Sequence, residues 1–507
     1  MNQIKVGAIL NYVIIALNTI VGLAYTPYML RCLGQSEYGL YSLVASIIAY
    51  LTLLDMGLGN AIVRYTAKYR SQGRESEQWK MFGMFIVVYS IIGLIAFLGG
   101  LGLYFNVDVL FENTMSLSDL SQAKTMIILL VINLAITFPM SVFGSIITAY
   151  EDFVFQRLVN IFRIVLSTIV LVAVLKLGFR AVALVAVQSV FNILTLIINY
   201  VYCMRKLKIK IEFSRVDKGF VKEIGIYSFW IFLNAIMDKI YWGTGQFVLG
   251  ALIGTVAVAV FSVAITLQQM YMLFSTSIIS VMLPKMTAIV TRNNEDREIS
   301  NLFVKTGRIQ FLIIALVLTG FVIFGRGFVS VWAGPEYGES YVITLIFFFA
   351  LLIPLIQNLG IIILQARNQM KFRSLLYLGI SFASLIAQVI LSRVMGPLGC
   401  AIAIGGALLI GQGLIMNIYY SKRQNLDIAA FWSEICKMSP VPLLMMIGGL
   451  ATWPYFNYSN PSTLFVGIAV YLVVYIPLLY LFGMNDYERG LIRQSFRAVA
   501  LRLGSKK

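Results

Sequence analysis

Apolar stretches of about 20 residues follow one another along the chain and are separated by short polar segments. About 20 consecutive apolar residues are what an α-helix needs to cross the hydrocarbon core of a bilayer. The pattern therefore predicts an all-α polytopic membrane protein with about fourteen transmembrane helices. The predicted spans are residues 7–30, 38–63, 81–105, 125–149, 155–176, 180–204, 222–250, 254–284, 302–325, 340–365, 372–394, 397–420, 437–454 and 462–483.

The second of these stretches contains a carboxylate, Asp55, well inside the apolar run. A charged side chain at membrane depth costs about 2.5–3.5 kcal/mol on insertion scales, so such residues usually face a polar interior and serve a function. Asp55 is therefore a candidate cavity or coupling residue. The alternative is a packing role, in which a neighbouring helix satisfies the carboxylate.

Lys and Arg are distributed unevenly between alternate loops. Five lie in residues 64–80 and seven in residues 205–222, whereas the loops on the opposite side carry one or two each. Because cytoplasmic loops are enriched in Lys and Arg, both termini are predicted to be cytoplasmic, with an even number of spans. The predicted location is the cytoplasmic membrane.

Composition narrows the classes of function. The chain is 60% hydrophobic and only 12% charged, against about 25% charged in an average soluble domain. Loop charge accounts for the net charge of +17, so no nucleic-acid partner is indicated. The chain has no histidine, and its four cysteines show no CxxC spacing, so no metal, disulfide framework or cofactor is predicted. No G-x₄-G-K-[ST] motif occurs, which argues against an ATP-driven pump.

The chain also has features of an internal duplication. Gly34 is followed by Tyr-Ser-Leu at residues 41–43, and Gly254 is followed by Phe-Ser-Val at residues 261–263, an offset of 220. This offset predicts two six-helix bundles in a parallel pseudo-repeat. In this alignment Asp55 corresponds to Ser275, for which we expect replacement by Ala to be tolerated.

The predicted organisation has four parts. They are an N-terminal six-helix bundle (residues 1–210), a C-terminal six-helix bundle (211–425), two additional transmembrane helices (426–485) and a basic amphipathic cytoplasmic tail (486–507). In the tail, Ile492, Phe496, Val499 and Leu503 share one helical face, which predicts a helix lying on anionic lipid. A disordered basic tail is the alternative.

Two motifs near the N-terminus carry a family resemblance. The sequences PYMLRCLGQSEYGLYSLV (residues 27–44) and LLDMGLGNAIVRYTAKY (residues 53–69) resemble the opening of Wzx-type oligosaccharide flippases. These are polysaccharide-biosynthesis transporters of the superfamily that also contains multidrug and toxin extruders and lipid II flippases. The resemblance implies a MATE-like fold with a central cavity, a polyprenyl-pyrophosphate-linked oligosaccharide as cargo, and transport by alternating access.

Such a cargo defines the side chains to look for. A pyrophosphate needs fixed cations in a cavity of low dielectric, whereas sugars need amides and aromatic faces. The pyrophosphate candidates are Arg31, Arg64, Arg163 and Lys239. The carboxylate candidates for the cavity or for coupling are Asp55 and Asp238, and the sugar-contact candidates are Asn234, Gln268, Gln269, Tyr227 and Tyr241.

These assignments have structural alternatives. Asp238 and Lys239 are adjacent and are open to interpretation as a local ion pair. The amides and tyrosines are also suited to helix packing or to anchoring at the headgroups.

The functional prediction is a flippase rather than an enzyme, because no loop is large enough to hold a catalytic domain. The expected partners are a lipid-linked oligosaccharide, membrane lipid and a coupling ion, H⁺ or Na⁺, and a monomer is expected. The rival functions are an ion-coupled drug/cation antiporter and another lipid flippase of the same superfamily. A cation antiporter would bind its substrate through carboxylates, whereas in this chain the deep basic residues are at least as numerous as the deep acidic ones.

Overall fold

The computed structural model describes residues 3–55, 57–213, 218–279, 282–292, 296–491 and 493, with the side chains of 218–231 and a few other helical residues outside that description. The described residues form helices and no β-strand. The helices are α1 (Gln3–Leu51), α2 (Leu58–Ser71), α3 (Glu75–Phe111), α4 (Leu117–Ala149), α5 (Phe153–Lys176), α6 (Ala181–Arg205), α7 (Lys218–Leu252), α8 (Thr255–Ile279), α9 (Leu283–Arg292), α10 (Asp296–Trp332), α11 (Glu339–Ile356), α12 (Leu359–Ala366), α13 (Lys371–Leu408), α14 (Met416–Gln424), α15 (Ile428–Met438), α16 (Pro440–Ala451) and α17 (Pro461–Leu478).

Ten helical runs among the described residues are long and apolar enough to cross a membrane, and the bent pair α15–α16 would make eleven. Two of the ten, Ile9–Ser71 and Lys371–Gln424, contain 63 and 54 residues, so each is longer than two spans of about 20 residues. The predicted all-helical, multi-pass class is therefore confirmed. The count of fourteen spans stays a prediction.

The two longest helices are interrupted by glycines in the left-handed region of backbone space. Gly34 in α1 has φ 74° and ψ 175°, and Gly396 in α13 has φ 58° and ψ −138°. Only glycine adopts such angles without a steric penalty, so each position joins two helical arms at a kink. These glycines lie in the short connections that the hydropathy pattern predicts between spans.

The chain divides into two compact units. The N-terminal unit contains residues 1–262 and 392–397, and the C-terminal unit contains residues 263–391 and 398–507. The predicted division at residues 210, 425 and 485 stays a prediction. Residues 486–491 are helical, whereas the four tail residues predicted to share an apolar face lie outside the described residues.

In the N-terminal unit, α3 and α4 pack closely through small residues. A Cβ atom at Gly93 would come within 2.8 Å of the carbonyl oxygen of Ala135, and one at Gly100 would overlap Val131. Glycines at such positions let two helix backbones approach, which strengthens packing where lipid replaces water. Helices α1, α5 and α6 also contact one another in this unit.

In the C-terminal unit, α10 is packed against α11, α15, α16 and α17. Tyr471 on α17 donates its hydroxyl to the carbonyl oxygen of Leu316 at 2.8 Å, and the Trp453 indole N–H donates to the carbonyl oxygen of Ile323 at 2.7 Å. Both bonds join a side chain of the C-terminal segment to a backbone carbonyl of α10. The helix pair α16–α17 is thereby fixed to α10.

A buried ionic cluster joins α10 to the segment after α17. Arg308 and Glu488, whose side chains are only 4% and 3% exposed, form a two-pronged pair: Nε to Oε1 is 2.6 Å and Nη2 to Oε2 is 2.9 Å. Nη1 of Arg308 contacts Glu434 at 2.8 Å, and Nη2 donates to the carbonyl oxygen of Gly483 at 3.1 Å. We call these residues the Arg308 cluster.

The backbone also supports the predicted internal repeat. Among the described residues, eight of the eleven with positive φ form pairs at nearly constant separations of 217, 218 and 220 residues along the chain. Each pair marks the same kind of connection between helices in the first and second halves of the sequence. The pairs are Gly34 with Gly254, Glu151 with Asn368, Gly178 with Gly396, and Lys208 with Asn425.

Candidate functional site

Asp55 lies at a break in the helix that forms the second predicted span. Helix α1 ends at Leu51, a short 3₁₀ helix covers Thr52–Asp55, and α2 begins at Leu58 after Gly57, which has φ 69°. Non-helical backbone at membrane depth is tolerated where it is buried in protein or lines a cavity, and transporters use such breaks as ion and substrate sites. The break therefore strengthens the case for Asp55.

The partner of Asp55 is a tyrosine on the neighbouring helix α3. The Tyr89 hydroxyl donates to Oδ1 of Asp55 at 2.6 Å, and the Tyr89 ring stacks on Phe138 of α4 with centroids 6.3 Å apart. Tyr89 is buried and Asp55 is half-buried. A short bond to a carboxylate is strong, so Tyr89 holds the Asp55 side chain in place. Sequence reasoning missed Tyr89, because a single tyrosine in an apolar run has no distinctive signal.

Arg163 lines a chamber of about 340 Å³ in the N-terminal unit, with both polar and apolar side chains in its wall. The chamber lies among α1, α5 and α6, and we call it the Arg163 chamber. Nη2 of Arg163 donates to Oδ1 of Asn160, one turn earlier on α5, at 3.0 Å. The guanidinium is thus positioned by its own helix. The polar side chains that line the chamber are Asn18, Tyr25, Arg163, Ser167, Thr168 and Gln188.

Neutral polar groups and four apolar side chains, Val21, Ile164, Leu171 and Phe191, supply the rest of the chamber wall. Gln188 on α6 is exposed and exchanges hydrogen bonds with the Tyr41 hydroxyl at 2.9 and 3.1 Å. The Tyr25 hydroxyl is buried and has no hydrogen-bond partner in the described part of the chain. A buried hydroxyl without a partner is costly, so a ligand that satisfies it gains affinity. Asn18, Tyr25 and Gln188 were not predicted as site residues.

The other predicted cations lie on three different helices. Arg31 is exposed near the end of the first arm of α1, and Arg64 is exposed on α2, with its guanidinium carbon 5.8 Å from the centre of the Tyr65 ring. Lys239 is half-buried on α7, where its carbonyl oxygen accepts from the Tyr50 hydroxyl at 3.3 Å, and Asp238 beside it is exposed. The described contacts of Asp55 and Arg163 are to Tyr89 and Asn160, neither of which was a predicted residue.

The predicted sugar contacts differ in their surroundings. Tyr241 is fully buried against Trp242, with ring centres 5.1 Å apart, which is a packing environment. In the C-terminal unit, Gln268 is buried and donates to the Met272 sulfur at 2.6 Å, whereas Gln269 is exposed. The side chains of Tyr227 and Asn234 on α7 lie outside the described residues.

Ser275, the residue aligned with Asp55, is the centre of a neutral hydrogen-bonded cluster. Its hydroxyl donates to the carbonyl oxygen of Leu355 at 2.9 Å and accepts from the amides of Gln310 and Asn358 at 2.9 and 3.3 Å. Ser275 and Gln310 are completely buried. The two aligned positions thus have different chemical environments. Asp55 is a carboxylate that accepts from a phenol, and Ser275 is a hydroxyl that accepts from two amides.

Comparison with known proteins assigns the chain to a family. A family model described as polysaccharide biosynthesis protein matches residues 4–290, which is more than half of the chain. EpsK of Bacillus subtilis (strain 168), an uncharacterized membrane protein, is 21% identical over 499 residues, covering 93% of this chain and 94% of EpsK. The resemblance in residues 27–69 is confirmed by these matches.

Two kinds of solved structure share the fold. The lipid II flippase MurJ in an inward closed conformation has a TM-score of 0.72 and 17% identity, covering 96% of this chain and 100% of that one. An inward-facing multidrug resistance MATE transporter of the MOP superfamily has a TM-score of 0.59 and 15% identity, covering 82% and 99%. The chain belongs to the polysaccharide biosynthesis protein family and has the fold that the lipid II flippase MurJ and the MATE transporters of the MOP superfamily share.

Proposed function

We propose that this protein is a flippase that moves a polyprenyl-pyrophosphate-linked oligosaccharide across the cytoplasmic membrane by alternating access, for the synthesis of a surface polysaccharide. Family membership supports a role in polysaccharide biosynthesis, and the fold is one that a lipid II flippase also has. The cargo and the alternating-access route are what the family resemblance implies, and the site residues are inferred from the chemistry of the chain.

The Arg163 chamber is the observation that carries this proposal. It combines one guanidinium with two amides and a buried hydroxyl that has no partner among the described residues. A guanidinium is planar and binds two phosphate oxygens through two parallel hydrogen bonds. Its electrostatic attraction to the phosphate is stronger where water is scarce. Amides and tyrosines suit the hydroxyl groups and ring faces of sugars. The chamber therefore has the groups needed for an anionic glycolipid headgroup.

Each residue then has a distinct role. Arg163 binds the pyrophosphate, and Asn18, Tyr25 and Gln188 contact the first sugars. Arg31, Arg64 and Lys239 supply further positive charge as the headgroup moves through the protein. Asn234, Gln268, Gln269, Tyr227 and Tyr241 remain candidate sugar contacts, and Asp238 remains a candidate cavity carboxylate.

Asp55 is the proposed coupling residue. Without a nucleotide-binding motif the energy comes from an ion gradient, and a carboxylate at a helix break is able to exchange H⁺ or Na⁺. The Tyr89 hydroxyl hydrogen-bonds the charged form of Asp55 most strongly, so loss of charge weakens this link between the helix break and α3. That change in bonding is a physical route from ion binding to helix movement.

The main rival is an ion-coupled drug/cation antiporter. Such a protein needs a carboxylate in its substrate chamber, because a cation must be paired in low dielectric. The described residues that line the Arg163 chamber include an arginine and no Asp or Glu. The positive charge of the chamber lining therefore favours an anionic cargo.

The test is transport of a lipid-linked oligosaccharide by purified protein in reconstituted vesicles, comparing Arg163→Gln and Arg163→Lys with the native protein. Arg163→Gln is expected to reduce transport at least tenfold, and Arg163→Lys is expected to restore it only in part, because Lys has no planar fork. Lys176→Gln, which removes an exposed cation from the same helix, is the matched control. Native rates for Arg163→Gln would exclude the anionic chamber, and faster export of a cationic dye would favour the antiporter.

The proposed orientation is tested separately by labelling single cysteines with a membrane-impermeant reagent in intact cells. Lys218→Cys, at the start of α7 in the basic stretch 205–222, is expected to be protected, and Asn113→Cys, in the acidic loop after α3, is expected to react. The reverse pattern would place both termini outside.

A further inference from the structure

A second polar pocket, of about 350 Å³, lies in the C-terminal unit where two connections between helices meet. One connection joins α12 to α13, and the other joins α14 to α15. The polar residues that line this pocket, which we call the Arg367 pocket, are Asp296, Arg367, Asn368, Gln369, Arg423 and Asn425. Nothing in the proposed transport cycle uses it.

The pocket is held in shape by buried side chains. The Arg367 side chain is 8% exposed; Nη2 contacts Asp296 at 2.6 Å and Nη1 donates to the carbonyl oxygen of Gln424 at 2.8 Å. Gln424 is also buried and donates its amide to Gln369 at 2.6 Å, while the Asn425 amide donates to Asp296 at 2.9 Å. The pocket is therefore preorganised rather than a gap between mobile side chains.

The lining carries a positive balance. It contains two arginines and one aspartate, which sum to +1, together with three amide side chains. Arg423 is exposed, and exposed lysines adjoin the lining at Lys371 and Lys422. Asp296 orients Arg367 through the contact described above and accepts from the Asn425 amide, so Arg423 and the amide N–H groups of Asn368 and Gln369 remain to attract and bind an anion.

The internal repeat provides a comparison within the same chain. At an offset of 217, Asn368 and Gln369 correspond to Glu151 and Asp152, so two carboxylates in the first half are amides in the second. In the first half Asp152 accepts from the Tyr202 hydroxyl at 3.0 Å. The backbone turn is the same, with positive φ at Glu151 and Asn368. The turn itself therefore accepts either carboxylates or amides. The absence of carboxylates at residues 368 and 369 is a feature of this pocket.

We propose that the Arg367 pocket binds a phosphate group, and that this phosphate belongs to an anionic phospholipid headgroup of the leaflet next to the basic loops. Basic pockets between transmembrane helices on the cytoplasmic side bind anionic headgroups, and that leaflet carries a negative surface potential. The volume is sufficient for a glycerophosphate group rather than for a large glycan. This site is independent of the cargo and lies beyond the proposed function.

The test uses the full-length protein in neutral detergent and measures the thermal unfolding midpoint and native mass spectra during titration. The probes are phosphatidylglycerol, phosphatidylcholine and inorganic phosphate. Saturable stabilisation by phosphatidylglycerol alone is the expected result. If inorganic phosphate stabilises the protein equally and displaces the lipid, the source is a soluble phosphate compound and the lipid assignment is wrong. Equal stabilisation by phosphatidylcholine overturns the proposal altogether.

The variants locate the binding. Arg423→Gln is expected to weaken phosphatidylglycerol binding about fivefold, which is the contribution of one basic residue at a membrane surface. Lys206→Gln is the matched control, because Lys206 is the exposed cation at the corresponding position of the first half. Asn368→Glu, which the same turn accepts as Glu151, is expected to abolish binding by placing a carboxylate in the pocket. If Arg423→Gln and Lys206→Gln lower the affinity for phosphatidylglycerol equally, the lipid is attracted by diffuse surface charge and the pocket is not its site. The same conclusion follows if neither Arg423→Gln nor Asn368→Glu lowers that affinity.

Discussion

Replacing Glu488 by Gln tests whether the Arg308 cluster holds the end of the chain to α10. The substitution keeps the shape of the side chain and removes its charge, while Arg308 stays 4% exposed. Removing one partner of a buried ion pair costs about 3–5 kcal/mol, because the other charge is left without full compensation. Glu434 still contacts Arg308 at 2.8 Å and is itself 29% exposed, so we expect a value near the lower end, about 3 kcal/mol.

The assay is thermal unfolding of the purified protein, followed by tryptophan fluorescence. For a unit of 150–250 residues, 1 kcal/mol shifts the midpoint by about 2–4 °C, so Glu488→Gln is expected to lower it by roughly 6–12 °C. Asp486→Asn is the control, because Asp486 is fully exposed and contacts Arg489 at 3.6 Å, and no measurable change is expected.

A second variant separates pairing from burial. Arg308→Met combined with Glu488→Leu replaces the pair by apolar side chains of similar volume, and such replacements are often neutral or stabilising. We expect the double variant to be more stable than Glu488→Gln. An unchanged midpoint for Glu488→Gln, or a double variant less stable than Glu488→Gln, would refute the assignment of a buried stabilising pair.

Three further predictions concern Asp55, Ser275 and Gly39. Asp55→Asn is expected to insert at normal abundance but to lose ion-coupled transport in reconstituted vesicles; full coupling would exclude Asp55 from ion exchange. Ser275→Ala is expected to be tolerated in transport but to cost about 1–3 kcal/mol of stability, because the buried amide of Gln310 loses its acceptor; an unchanged unfolding midpoint would contradict this cost. Gly39→Ala is expected to cost about 1–3 kcal/mol in the same assay, because its Cβ overlaps the carbonyl oxygen of Thr255; native stability would show that the two backbones separate freely.

The transmembrane class of this protein was predictable because bilayer thickness imposes one length on every span. The ends of the helices were less predictable from the sequence. Helix α3 covers Glu75–Phe111, whereas the apolar run predicted a span at residues 81–105. Helices continue past the hydrocarbon core where water solvates their polar side chains. Hydropathy does not mark the residue at which such a helix ends. The two breaks at Gly34 and Gly57 also depend on backbone geometry that composition alone does not express.

The candidate site was predictable only in its charged members. Asp55 and Arg163 stand out because an ionisable group in an apolar run is rare and costly. Asn18, Tyr25 and Gln188 are neutral residues in apolar runs, and such residues are as common in helix packing as in binding. Which of them face a chamber depends on how three helices pack, and that is a tertiary property absent from local sequence.

The paired turns of the internal repeat offer a route to a more robust protein for biochemical work. Left-handed backbone costs a residue with a Cβ atom about 1–2 kcal/mol, and asparagine is among the residues that adopt it most readily. The first half places Glu151 and Lys208 at these turns, whereas the second half places asparagine at both corresponding positions. The second half is therefore a built-in template for engineering the first, and transplanting its two asparagines should relieve strain at positions that lie outside the helices.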